Sequence, residues 1–366
     1  MGLPRTALAA VFRGPGQGFE LTEYPLMAPV PGGLVARVLM STVCGSDLHS
    51  WLGRRTSPVP GILGHEIVGT VAALGEPPPV TLDGRPLVEG DRITWTEYII
   101  CGNCRPCQDF SLPQKCVSVR KYGHEGAAAP PHLLGGFAQF CHVLPGSGVL
   151  RVPEPLDDCE AVAVNCGVAT MVAVVEAAAI EAGDAVLVQG VGLLGLYGIA
   201  MARSAGAGFV IAVDRVPERL ELAYRFGADL AIDLSGLEGA EAVTQVREAC
   251  ARGGADVGIE TCGAPTALPE GLSMLRIGGR YVSAGLVSPG PPVALDAHAL
   301  VTRCLTVRGV HNYRPAHLGQ ALDFVARHRQ RWPLGELVDQ RFSLAEVDAA
   351  FSHAAARRLV RPAIVP

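Results

Sequence analysis

The chain is poor in charge: of 366 residues only 18% are charged, whereas 49% are hydrophobic. That balance argues against disorder, which comes with few apolar residues and much charge. No basic block is present, and 30 Lys and Arg against 35 Asp and Glu leave a formal net charge of −5. A partner that grips the phosphate backbone of nucleic acid is therefore not expected. There is no internal repeat and no low-complexity tract. The longest apolar stretch, 161–180, is interrupted by Asn165 and Glu176, so it reads as a buried helix rather than a membrane span. The apolar run at 7–12 is too short for the core of a secretory signal. These absences lead us to expect a cytoplasmic protein with no membrane partner. In that reducing compartment the eleven cysteines call for metal or catalytic roles before disulfides.

What is present divides the chain. Its length corresponds to about two domains, and 44 Gly and 28 Pro imply many tight turns. Residues 1 to about 155 read as β-rich: short apolar runs at 34–40, 67–74 and 93–95 are set off by Gly and Pro clusters, with a surface insert at 76–87. From about 160 a long Ala/Val-rich helix at 161–179 is followed by alternating segments. Strands are expected at 185–189, 209–214, 230–233, 257–261 and 279–285, and helices at 193–205 and 217–226. Such alternation predicts an α/β fold with a doubly wound parallel sheet. A further helix is expected at 316–329.

Gly190-Val-Gly192-Leu-Leu-Gly195 is a G-x-G-x-x-G that follows the 185–189 strand and opens an apolar helix, with Asp214 ending the next strand 24 residues after Gly190. In that context the motif points to a dinucleotide: Gly190 for the tight turn, Gly192 for close approach of the pyrophosphate, Gly195 for helix–strand packing. Asp214 would accept from the adenosine ribose hydroxyls and repel a 2′-phosphate, favouring NAD over NADP; Arg215 beside it leaves room for NADP. The competing reading is a Gly-rich turn that holds no ligand.

Cys101-x2-Cys104-x2-Cys107-x8-Cys116 gathers four thiols within sixteen residues. Thiolate-only ligation at these spacings suits a closed, structural zinc, with an iron–sulfur cluster as the rival. A second set is more dispersed: Cys44-Gly-Ser46-Asp47-Leu-His49, Gly64-His65-Glu66 and Cys166-Gly-Val-Ala-Thr170. Cys44, His65 and Cys166 would form a Cys2His site with an open fourth position, as in catalytic zinc sites. Taken singly, each of these residues could equally be ordinary core.

Together with the nucleotide motif, these sets make the sequence similar to the zinc-containing medium-chain alcohol dehydrogenases over nearly its whole length. The resemblance implies a GroES-like β-rich catalytic domain with a structural zinc lobe at 1–160, a Rossmann domain at 161–310 and a C-terminal return to the catalytic domain at 311–366. It implies two zinc ions per chain and an NAD-linked alcohol–carbonyl reaction in a dimer or tetramer. Carried over by position, Cys44, His65 and Cys166 match the catalytic zinc ligands, and Glu66 an acidic neighbour of the metal. Asp47 matches the carboxylate that orients the histidine ligand, Ser46 the hydroxyl that takes the substrate proton, and His49 the outer member of that relay. Thr170 matches a contact near the nicotinamide and Arg361 a pyrophosphate contact; Arg55 and Trp95 fall where the substrate is met.

Two features depart from the usual pattern. The x8 gap before Cys116 exceeds the more familiar x7. The segments Leu112-Pro-Gln-Lys-Cys116, Lys121-Tyr-Gly-His124 and Gly309-Val-His-Asn-Tyr313 look like a branch associated with phosphonate metabolism. With Arg55, they suggest an anionic, phosphonate-bearing alcohol as substrate. A polyol, sugar or simple secondary alcohol is the alternative within the enzyme class. A catalytically silent nucleotide-binding protein and a zinc-free reductase are the alternatives outside it.

Overall fold

The computed structural model describes residues 2–237, 239–338, 340–356 and 360–366. Two compact units divide the chain: 1–169 with 314–366, and 170–313.

The first unit is built on antiparallel sheet. Its largest sheet runs, in spatial order, Val149–Arg151, Arg92–Trp95, Glu66–Leu74, Leu34–Thr42, Pro362–Val365 and Gln340–Ser343, with Phe140–Val143 also paired to Leu34–Thr42. A three-stranded sheet sets Thr6–Phe12 between Phe19–Pro25 and Gly61–Ile62. The expected run at 34–40 is the start of Leu34–Thr42, which carries small and β-branched residues on an almost wholly buried strand. Both of its faces meet core. Ala7, Val35, Val43, Phe137 and Phe351 belong to one buried cluster, and Leu34, Ala36, Val38, Ile67 and Trp95 to another. The strand Pro362–Val365, some 320 residues downstream, lies against Ser41 and Thr42, so the unit closes only with its C-terminal segment.

The second unit is a six-stranded sheet, parallel throughout, in the order Leu230–Asp233, Phe209–Asp214, Ala185–Gln189, Ala255–Glu260, Leu275–Ser283, Thr306–Gly309. In chain order that is 3-2-1-4-5-6, the doubly wound Rossmann order. Ligands of such sheets sit beyond the carboxyl ends of the strands where the order reverses, here between Ala185–Gln189 and Ala255–Glu260.

The Ala/Val-rich stretch is helical but not one regular helix. Asp158–Ala161 is α-helical, Val164–Val168 is a π-helical turn, and Ala169–Ala178 resumes the α-helix. Asp158–Ala178 is long and apolar enough to cross a membrane, yet 72% of its apolar window is buried inside the protein. It is a core helix by that measure. The π turn carries Cys166; such bulges inside α-helices are frequent at functional sites.

Candidate metal centre and nucleotide loop

The helix Gly45–Trp51 starts at Cys44, whose N–H donates to Asp47 Oδ2 at 2.9 Å. This capping box fixes the chain where the strand Leu34–Thr42 gives way to helix. It also holds Asp47, fully buried, against the next element: Oδ1 accepts the Gly64 N–H at 3.3 Å and lies 3.4 Å from His65 Nδ1. His65 immediately precedes the strand that Glu66 begins. Cys166 comes from the π turn. The sequence-distant ligand atoms of Cys44, His65, Glu66 and Cys166 all lie within 4.8 Å of one another.

A carboxylate on Nδ1 leaves Nε2 of His65 as the atom turned to the centre of this group, the usual arrangement for a metal-bound imidazole. Ser46 Oγ is 3.4 Å from that Nε2. Electrostatics favour a cation at the centre. The contact with Cys166 holds the Cys44 thiol well below its ordinary pKa, while Cys166 is held well above its own by Cys44 and by burial. Burial alone would keep His65 neutral, but the Asp47 and Cys44 charges outweigh it and draw positive charge onto the ring. Glu66, buried, accepts from Thr42 Oγ1 and pairs with Arg361 at 3.1 Å; burial still pushes its carboxyl up to about 8. The donor set of two thiols, an imidazole and an adjacent carboxylate fits zinc with one position left for substrate.

The four-cysteine lobe meets the same distance test: Cys101, Cys104, Cys107 and Cys116 place their sulfurs within 4.8 Å of one another. Zn–S bonds of about 2.3 Å imply sulfur–sulfur edges of about 3.8 Å in a tetrahedron. Cys104–Cys107 at 3.4 Å and Cys101–Cys116 at 3.5 Å are near that edge and far from a disulfide bond; all eleven cysteines are free. The longer x8 gap therefore leaves Cys116 inside the cluster. The short helix Arg105–Gln108, with Cys104 as its N-cap, supplies the turn between the inner two thiols.

In the second unit Gly190 has φ +89°, and a Cβ there would meet Cys262 Cβ at 2.6 Å; a Cβ on Gly195 would meet the Gly190 carbonyl oxygen at 1.9 Å. Both glycines are demanded by packing. Gly192 differs: its Cβ position is open, with only Arg219 Nη1 nearby at 3.9 Å. An unfilled cradle at the N-cap of the helix Leu193–Ser204 fits an anion such as a pyrophosphate. Asp214 is oriented by the N–H groups of Val191, Arg215 and Val216, which donate to its oxygens at 2.6–3.1 Å. Arg215 is exposed beside it, and Thr170 is the buried first residue of this unit.

One expectation needs correction. Trp95 does not face substrate: its indole is fully buried, edge-on to Tyr122, because the alternation of its strand turns it into the core. Arg361 is buried and pairs with Glu66, which needs a cation, while donating to the Val43 carbonyl at 3.3 Å. His49, expected as the outer member of the relay, lies on the same helix as Ser46, and its half-buried ring keeps Nδ1 unpartnered.

Two residues near the metal group are absent from the sequence-based expectations. Asn165 is fully buried: Nδ2 donates to the His65 and Trp95 carbonyls at 2.9 and 2.8 Å, and Oδ1 accepts the Ile67 N–H at 3.3 Å. Glu97, also buried, sets Oε2 3.7 Å from His65 Nε2 and Oε1 3.7 Å from Lys121 Nζ. Its only sequence signal is an acid inside the apolar run before Cys101.

Comparison with known proteins agrees with this architecture. The alcohol dehydrogenase GroES-like domain matches residues 30–154, and the zinc-binding dehydrogenase domain matches residues 194–327. The 5-exo-hydroxycamphor dehydrogenase of Pseudomonas putida is 31% identical over 347 residues, covering 94% of this chain and 95% of that protein. An L-threonine 3-dehydrogenase of Saccharopolyspora erythraea is 34% identical over 310 residues, 83% of each. The crystal structure of an alcohol dehydrogenase from Thermotoga maritima superposes with a TM-score of 0.92 at 31% identity, covering 100% of both chains. The chain thus belongs to the zinc-containing medium-chain alcohol dehydrogenase family. It is a zinc- and nicotinamide-dependent oxidoreductase that acts on a small-molecule alcohol.

Proposed function

We propose that the protein oxidises a secondary alcohol to a ketone with NAD as hydride acceptor, and runs the reverse reaction when the ketone is supplied. The observation that carries this is the convergence of Cys44, His65, Glu66 and Cys166 within 4.8 Å, with the Ser46 hydroxyl at its edge. Both relatives above are named for oxidation at a secondary carbinol. Neither name concerns a phosphonate, and the assignment to a phosphonate branch gains no support from them.

Cys44, His65 and Cys166 would hold the catalytic zinc, and Cys101, Cys104, Cys107 and Cys116 a structural one. Zinc bound there would supply Lewis acidity toward the alcohol oxygen, and NAD would supply the hydride acceptor. Asp47 fixes the His65 ring and tautomer. Ser46 Oγ would take the alcohol proton, and His49 would be the outer member of that relay, its ring kept neutral by burial and by Arg54, which hold its pKa below the usual value. Gly190, Gly192 and Gly195 form the pyrophosphate loop, Asp214 meets the ribose hydroxyls, and Thr170 lies near the nicotinamide. Arg215, beside Asp214, is the residue that would admit NADP. A dimer or tetramer belongs to the same reading, supported by the exposed edge strand Thr306–Gly309.

The test is NADH formation by the metal-replete protein across neutral secondary alcohols, 5-exo-hydroxycamphor, L-threonine and sorbitol. Zinc-dependent turnover of secondary alcohols, lost in Cys166→Ser, is expected. Nucleotide binding with no turnover of any of them would show a silent binding protein instead.

A further inference from the structure

We infer that Arg55 and His124 form an oxyanion-recognition element beside the metal centre, so that the physiological alcohol carries a carboxylate, phosphate or phosphonate; the inference rests on the alcohol-oxidising role proposed above. Arg55 follows the helix that bears Ser46 and His49, and its N–H donates to the His49 carbonyl at 3.1 Å. That bond folds the loop back toward the helix. Arg54 is exposed, whereas Arg55 is half-buried with Nη1 3.5 Å from His124 Nε2. The His124 ring stands 5.2 Å from the His65 ring. The guanidinium is thus one ring removed from a proposed zinc ligand.

The charges around this wall do not balance. Glu97 faces Lys121, Glu66 faces Arg361, and Asp47 is taken by backbone N–H groups and His65. Among the described residues no carboxylate pairs with Arg55. A guanidinium has only donors, so Nε2 of His124 meets it as an acceptor and the ring proton resides on Nδ1. That Nδ1 is buried and has no partner. Two adjacent side chains, one positively charged, therefore hold donor hydrogens without acceptors. A bidentate oxyanion answers the guanidinium's charge and its remaining donors, and a neutral hydroxyl answers neither; His124, with Nε2 turned to Nη1, holds the guanidinium in place.

Matched substrates test this: 3-hydroxybutyrate against its methyl ester, and 2-hydroxypropylphosphonate against its dimethyl ester. We expect kcat/KM to favour the anion in each pair. Arg55→Leu should lower the anion-to-ester ratio by at least ~10-fold, equivalent to about 1.4 kcal/mol. His124→Phe, which keeps a ring and removes the Nε2 acceptor that positions Arg55, should lower it in the same direction. Whichever anion shows the larger ratio identifies the headgroup. A wild-type preference for the esters, or a ratio unmoved by Arg55→Leu, overturns the inference. Should Arg55→Leu fail to fold, Arg55→Gln removes the charge at similar length. If no alcohol is turned over, the oxidoreductase reading fails by itself, and calorimetric binding of 3-hydroxybutyrate to the metal-replete protein decides this one. Binding weakened at least ~10-fold by Arg55→Leu sustains it, and binding that is absent or unchanged refutes it.

Discussion

Replacing Asn165 with alanine should damage the metal centre without touching a ligand. Its amide ties together three backbone groups from two elements: the His65 carbonyl, the Ile67 N–H and the Trp95 carbonyl, at 2.8–3.3 Å and with no solvent access. Each buried group left unmet costs about 1–3 kcal/mol. Three such groups sum to about 3–9 kcal/mol, and water entering the vacated volume offsets part of that. A loss of about 3–5 kcal/mol in unfolding free energy is the expected result. Tryptophan fluorescence during urea unfolding reads it directly, since Trp95 is packed beside the substitution. The metal provides a second readout: a chelator should strip the proposed catalytic zinc at lower concentration, while zinc at the four-cysteine lobe resists as in the wild type. Asn165→Asp should be no better, because it turns a carboxylate oxygen toward two carbonyls. An Asn165→Ala protein within about 0.5 kcal/mol of wild type and equally resistant to the chelator would refute the reasoning.

Further outcomes are expected elsewhere in the chain. Elemental analysis should find two zinc ions per chain, one in folded Cys166→Ser, whereas Cys104→Ser should lower stability because metal binding there is folding free energy. Asp214→Gly should shift the kcat/KM ratio toward NADP, and a wild-type preference for NADP would show that Asp214 does not select. Asp256 provides a pH test within the unit 170–313, which carries neither metal site. Burial alone would raise its carboxyl pKa, but the Ala185 N–H, Arg276 and Arg252 outweigh burial and hold it below the usual range. A depressed folded pKa gives stability that is present above the unfolded value of about 3.9 and is lost as pH falls through the folded one. The stability advantage of wild type over Asp256→Asn should therefore hold above about pH 5 and fade below about pH 4, as read by urea midpoints.

How much could be read before the structure depended on how each feature is encoded. The strands at 185–189, 209–214 and 230–233 have the expected bounds, because buried parallel strands are short apolar runs between turn residues. The strand expected at 257–261 is Ala255–Glu260 and that at 279–285 is Leu275–Ser283; glycines at their margins obscured the limits. Local spacing exposed the four cysteines and the glycine loop, and short motifs exposed Cys44 and His65. Asn165 was legible only as a flaw in an apolar helix, since its role depends on carbonyls 70 and 100 residues away. The Glu66–Arg361 pair spans 295 residues, so an arginine near the C-terminal end of the sequence reads as a surface or ligand residue. Trp95 is placed at the substrate only by positional resemblance, and which face of its short strand turns inward depends on the pairing of that strand in the sheet.

The insertion of Pro362–Val365 between Leu34–Thr42 and Gln340–Ser343 has a consequence for synthesis. At about 5–20 residues per second, some 200 residues separating Cys166 from this strand require about 10–40 s of translation. During that interval the proposed catalytic ligands have all been made, but Glu66 has no arginine and the central sheet lacks two strands. The contiguous unit 170–313 has every strand of its own sheet before then. Vectorial folding is thus inverted in this chain: the nucleotide-binding unit is complete first, and the metal-bearing unit, though begun earlier, is completed after it.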